Sequence, residues 1–166
     1  MRSFILLLLL VTTYPVFASG VDVVQLRQLY YKANESEEFC DRFCQQVGAI
    51  GERSEPIFLC YKAMASFLRC RRVLNPYSKF SSFNDGKKLL EHAIRNDPNN
   101  VEIRFMRFSV QSQAPRLLSY NDNLKEDKAL VLGCWKKIAD NDLKEKIRSF
   151  MVRYGNCSAQ ELLYLQ

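Results

Sequence analysis

From Val24 onward, apolar residues recur at spacings of three and four, and no run alternates strictly between apolar and polar side chains. The pattern predicts an all-helical chain. Val24, Leu26, Leu29, Tyr30 and Ala33 mark a short first helix that breaks near Asn34. Ser36, followed by Glu37 and Glu38, reads as an N-cap with an acidic first turn. It opens a helix striped by Phe39, Cys40, Phe43, Cys44 and Val47, which Gly48 and Gly51 end. Prolines at 56, 76, 98 and 115 then punctuate the chain, leaving between them room for one helix and its connection. A helix over 57–74 is expected to bury Ile57, Cys60, Tyr61, Met64, Phe67 and Leu68. The next, capped by Ser81 or Asn84, passes through Leu89, Leu90, Ala93 and Ile94 to Asn96. Another runs from Asn99 or Asn100 to Gln113. Ser119 to Asp122 reads as a turn, and helices over 123–139, 141–154 and 158–165 close the chain, the last two parted by a stop at Gly155-Asn156.

Ahead of this pattern, Arg2 precedes the apolar run Phe4 to Val11, then Pro15 and the small residues Ala18, Ser19 and Gly20. This is the layout of a secretory signal peptide, with cleavage expected after Ala18 or Gly20. The competing reading, an uncleaved anchor, asks for about 20 continuous apolar residues, and the run is much shorter. Residues 1–20 are thus expected to be a cleaved signal and 21–166 a single domain, periplasmic or secreted, with no membrane insertion after cleavage.

The segment from Gly86 to Glu102 (Gly-Lys-Lys-Leu-Leu-Glu-His-Ala-Ile-Arg-Asn-Asp-Pro-Asn-Asn-Val-Glu) resembles the second helix of a tetratricopeptide repeat running into the first helix of the next. Ala93 and Pro98 stand where that family places its later alanine and its proline, and Leu90 where it prefers a large apolar residue. The likeness covers some 30 to 35 residues. Arg107-Phe108 replaces the Leu-Gly that the following repeat would carry, and Asn75-Pro76 lengthens the loop inside the better repeat. The resemblance implies irregular tetratricopeptide-like antiparallel hairpins, with a helical bundle as the alternative. The wider pattern of Tyr61-Lys62, Lys79 to Ile94, Pro98 to Arg107 and Pro115 to Tyr120 is also similar to exported bacterial proteins of unknown function, which implies location and fold rather than activity.

Composition changes this picture little. The chain of 166 residues is 48% apolar and 25% charged, enough for one packed core, and its net charge of +6 falls by one when Arg2 leaves with the signal. No dense basic block with interleaved aromatics is present, so nucleic acid is not an expected partner. Six cysteines in an exported chain allow one or two disulfides, Cys134 with Cys157 being the favoured pair. The lone His92, and the lack of any Cys-x-x-Cys, give no metal site, no cofactor and no catalytic residue, so the expectation is a protein that is not an enzyme. Sequons at Asn34 and Asn156 keep open a secreted bundle of cytokine type, and an enzyme with an unrecognised site is the remaining alternative.

The candidate site lies on the helix from Asn99 to Gln113. Ile103, Met106 and Val110 can face the core, while Arg104, Arg107 and Gln111 share the other stripe. In the tetratricopeptide-like alignment that stripe would line a concave groove, with Lys62 as a neighbour from the preceding first helix. Two arginines one turn apart suit a carboxylate, so the expected function is binding of a protein or acidic peptide partner.

Overall fold

The computed structural model describes residues 22–166, so the expected signal peptide lies outside the described residues. Those residues are all-α: α1 (Val23–Ala33), α2 (Glu37–Gly48), α3 (Pro56–Arg72), α4 (Pro76–Asn96), α5 (Val101–Gln113), α6 (Leu124–Cys134), α7 (Asn141–Tyr154) and α8 (Ala159–Tyr164), with single 3-10 turns at Arg116–Leu118 and Trp135–Lys137. No helix among them is long and apolar enough to cross a membrane.

Most boundaries follow from side chains that satisfy the first free N–H groups of each helix. The Ser36 hydroxyl accepts from Phe39 N at 3.3 Å, Asn100 Oδ1 from Glu102 N and Ile103 N at 3.1 and 3.2 Å, and Asp140 Oδ1 from Leu143 N at 3.0 Å. Ser158 and Glu161 form a reciprocal capping box on α8. One start differs from expectation. α4 begins at Pro76 rather than after Ser81 or Asn84, because Asn75 Oδ1 accepts from Tyr77 N and Ser78 N, and proline suits a first helical position where no N–H is needed. Asn75-Pro76 therefore starts a helix instead of extending a loop. The helix expected over 123–139 is likewise shorter, tightening into the 3-10 turn at Trp135–Lys137.

Consecutive helices pair, α1 with α2, α3 with α4 and α5 with α6, and α5 also touches α3, α4 and α7. Two apolar clusters result. The first joins α1 to α4 with Ile103 and Met106 of α5; the second joins Phe105 and Phe108 of α5 to Val131, Trp135, Ile147, Met151 and Leu165. α5 is the shared wall, and every residue from Glu102 to Ser109 is buried. Full burial of Ile147 or Met151 contributes about 2 kcal/mol each by removing apolar area from water.

At the end of α7 the left-handed residue is Asn156 (φ 44°), while Gly155 is ordinary right-handed backbone (φ −74°). Gly155 is required for space: a Cβ there would lie 2.7 Å from the carbonyl oxygen of Met151 and 2.8 Å from its Cα. Backbone cannot swing aside, so Gly155→Ala is expected to cost about 1–3 kcal/mol in a denaturant titration. A loss within experimental error would show that the last turn of α7 relaxes around an added methyl group.

Candidate functional site

Arg104, Arg107 and Gln111 do share a stripe, but it faces inward: their exposures are 5%, 4% and 2%. The expectation of an exposed, groove-lining stripe is thus corrected, and the reason is the central place of α5. Arg107 makes a two-pronged bond to Asp127 of α6, Nε to Oδ2 at 2.7 Å and Nη2 to Oδ1 at 2.8 Å, and its Nη1 reaches Glu91 of α4 at 2.9 Å. Arg104 Nε lies 2.6 Å from Asp127 Oδ1 as an ion pair without hydrogen-bond alignment, and its Nη2 meets Glu126. The Tyr120 hydroxyl donates to Glu91 at 2.6 Å, and burial, reinforced by that carboxylate, raises its pKa well above the ordinary tyrosine value. Gln111 pins the turn before α6 by exchanging bonds of 3.2 Å with Asn123 through both its amide atoms. Lys62 is not a neighbour of these groups in any bond; its Nζ donates to the Ile50 carbonyl at 2.5 Å and ties α3 to the loop before it.

A second buried network sits at the other end of α5. Arg27, 2% exposed on α1, holds Glu102 through Nε at 2.7 Å and Nη2 at 2.8 Å, and its Nη1 lies 2.8 Å from Asp140 and 3.0 Å from Asp142 at the start of α7. Tyr61 of α3 donates its hydroxyl to Glu102. Burial works against the Arg27 charge, yet the bonds to Glu102 and Asp142 outweigh it and keep the guanidinium charged. Glu102 is thus the anion that joins α1, α3 and α5.

Carboxylates held in these contacts set the response to acid. The Arg104 bond lowers the pKa of Glu126, and the Lys128 bond with the Ser158 N–H lowers that of Glu161. Burial opposes the charge of Asp140, but the Leu143 N–H and Arg27 bring it below the usual aspartate value. Folded-state values below the unfolded ones contribute stability that is complete above the unfolded pKa and lost as pH falls through the folded value. The melting temperature is accordingly expected to hold from pH 7 to about 5 and to fall below about pH 4, where unfolded carboxylates gain protons. A flat profile to pH 3 in thermal melts would contradict the pairing.

The other sequence candidates separate widely. All six cysteines are free; Cys134 and Cys157 are not bridged, and the Cys157 thiol turns to the Gly155 carbonyl at 3.7 Å. Burial, and then the Glu102 charge, push the Cys60 thiol well up, and burial beside Cys40 pushes Cys44 to about 11, so both stay protonated. His92 is exposed beside Asn96, its Nε2 3.2 Å from the amide nitrogen. Among the described residues no cluster of His, Cys, Asp and Glu is arranged to hold a metal ion.

What the molecule does present is an apolar groove of about 580 Å³ between α3, α4, the end of α5 and the 3-10 turn after it. Phe67, Phe80, Phe83, Val110 and Leu117 line it. Phe80 and Leu117 are 54% and 93% exposed, and Leu74 and Tyr77 stand out from the α3–α4 corner beside it. Gly86 gives Phe67 its seat: a Cβ there would meet the ring at 3.0 Å. The charged residues lining the groove are Arg71 and Lys79, both cationic. Apart from Tyr30 of α1, its walls come from two stretches without a carboxylate, one between Glu55 and Asp85 and one between Glu102 and Asp122. Those acid-free stretches were visible in the chain, but helical stripes alone do not show that α3 and the segment after α5 converge.

No protein family matches this chain, and no curated protein or solved structure matches it.

Proposed function

We propose that the protein is exported and acts by noncovalent capture of a protein or peptide segment, with the α3–α4–α5 groove as its docking site and its helix pairs as tetratricopeptide-like hairpins. The observation that carries this reading is the exposure of Phe80 and Leu117 at the mouth of an apolar groove. Large contiguous apolar surface on a folded domain costs solubility and marks a place where another molecule sits. The buried arginine stripe plays no part in it, since both guanidinium groups are taken up by carboxylates of the same chain.

The test is a crosslinked pull-down from the compartment that receives the protein, comparing the native chain with the double variant Phe80→Asp, Leu117→Asp. The native chain is expected to retain a partner that the variant loses about tenfold or more, because burying an unpaired carboxylate opposes docking. Both positions are solvent-facing, so the melting temperature should move by only a few degrees. Equal recovery by the two proteins would remove the groove from the function.

A further inference from the structure

We infer that the groove accepts an amphipathic helix whose apolar face is flanked at one end by acidic residues; this rests on the docking role proposed above and names the chemistry of the partner.

Charge is the first argument. Arg71 and Lys79 border the groove, and Arg69, Arg72 and Arg116 are exposed on the elements that build it, with no carboxylate supplied by either wall. Arg69, Arg71 and Arg72 fall in the last turn of α3, where a helix dipole by itself favours cations. Lys79 has no such account. It lies near the start of α4, where the dipole disfavours a cation, and α4 opens without any acidic residue in its first turn. Among the described residues Lys79 forms no ion pair, Arg71 donates to the neutral Asn34 Oδ1 at 2.9 Å and meets no carboxylate, and Arg72 donates to the Ser36 carbonyl at 3.4 Å with Glu37 and Asp41 no nearer than 4.0 and 3.7 Å. The groove thus holds cationic charge beside apolar surface that the fold itself does not neutralise, and an anionic partner complements it.

Backbone hydrogen bonding is the second argument. The groove is walled by helices, a 3-10 turn and the short link Ala114-Pro115 between them, and no strand occurs among the described residues. An extended segment entering an apolar groove would find no strand edge to pair with, leaving its N–H and C=O groups unsatisfied. A helix satisfies its own and needs to offer only side chains. A groove of about 580 Å³ takes the anchors of one helical face, at positions i, i+3 or i+4 and i+7, rather than a whole segment.

The probe is a set of three fluorescent synthetic peptides of about 16 residues, long enough for four helical turns. They share one Leu/Phe face and differ at two end positions, which carry Glu, Gln or Lys. By fluorescence anisotropy the Glu peptide is expected to bind about tenfold tighter than the Lys peptide, with Gln between. That spread should shrink at high salt and in Lys79→Gln, Arg71→Gln, and all three peptides should weaken together in Phe80→Asp, Leu117→Asp. Equal binding of the Glu and Lys peptides to the native protein would overturn the acidic partner while leaving the docking groove intact. Failure of all three to bind, or binding that ignores the Phe80 and Leu117 changes, would overturn both. Saturation of the groove by dodecanoate with no competition from peptide would make the occupant a lipid-like carboxylate, and concentration-dependent self-association lost in Phe80→Asp, Leu117→Asp would make it a second copy of the chain; either result overturns the helix.

Discussion

Asp127→Asn is expected to destabilise the protein by about 3–5 kcal/mol, the range for breaking a buried ion pair from one side. Asp127 is completely buried and, among the described residues, is the one carboxylate that touches both Arg104 and Arg107. Asparagine keeps its shape and removes its charge, leaving two cations about 95% buried with Glu91 and Glu126 at their outer ends. A domain of this size melts about 2–4 °C lower for each kcal/mol lost, so thermal melts should shift by about 6–20 °C. Glu126→Gln, at a carboxylate that is 62% exposed, is the control and should cost under about 1 kcal/mol. Replacing the three charged groups together (Arg104→Met, Arg107→Leu, Asp127→Leu) should recover most of the loss, because the penalty of the single change is an uncompensated charge and not a missing attraction. A single change as mild as the control would show that water reaches this network. Reversing both arginines would set carboxylates against Asp127 and is expected to abolish folding, where a solvent-facing stripe would have tolerated it.

The second large effect is expected at Arg27→Met, also about 3–5 kcal/mol, since Glu102 would be left 6% exposed with the Tyr61 hydroxyl as its remaining side-chain partner. Methionine retains the packing of the arginine stem, so the loss reports the charge. The consequences should also be spatial. Arg27 is where α1 meets the start of α7, through Asp140 and Asp142, and hydrogen exchange is expected to rise first in the opening turn of α7. Adding Glu102→Gln to Arg27→Met should return part of the stability by neutralising the stranded anion, and a double-mutant cycle gives the coupling directly. Strict additivity of the two changes would mean that the pair does not interact.

The local grammar of this chain was legible without its tertiary structure. Three-and-four spacing predicted an all-helical fold, and the caps at Ser36 and Asn100 act through one and two hydrogen bonds to N–H groups two or three residues away. The α4 start was also written in the chain, since Asn75-Pro76 is an N-cap before a proline at the first helical position. It reads as a loop because Ser78 to Ser82 lack a clear apolar stripe, and α4 opens on a surface that faces the groove and solvent.

What spacing cannot show is how many neighbours a helix has. A stripe of Ile103, Met106 and Val110 implies one covered face, and a polar opposite stripe then reads as solvent-facing; α5 is covered on that side too, because α4 and α6 bring Glu91 and Asp127 to meet Arg104 and Arg107. Those pairings span 16 to 23 residues, and the bond of Arg27 to Glu102 spans 75, so they arise only when separate helices pack. The groove has the same origin. Its acid-free stretches are visible in the chain, but the apolar surface exists because α3, α4 and the turn after α5 converge without closing over it. Short-range hydrogen bonds and helical periodicity determine elements, whereas burial of a charge and exposure of an apolar side chain are properties of the contacts between elements, and those were decided by the tertiary structure alone.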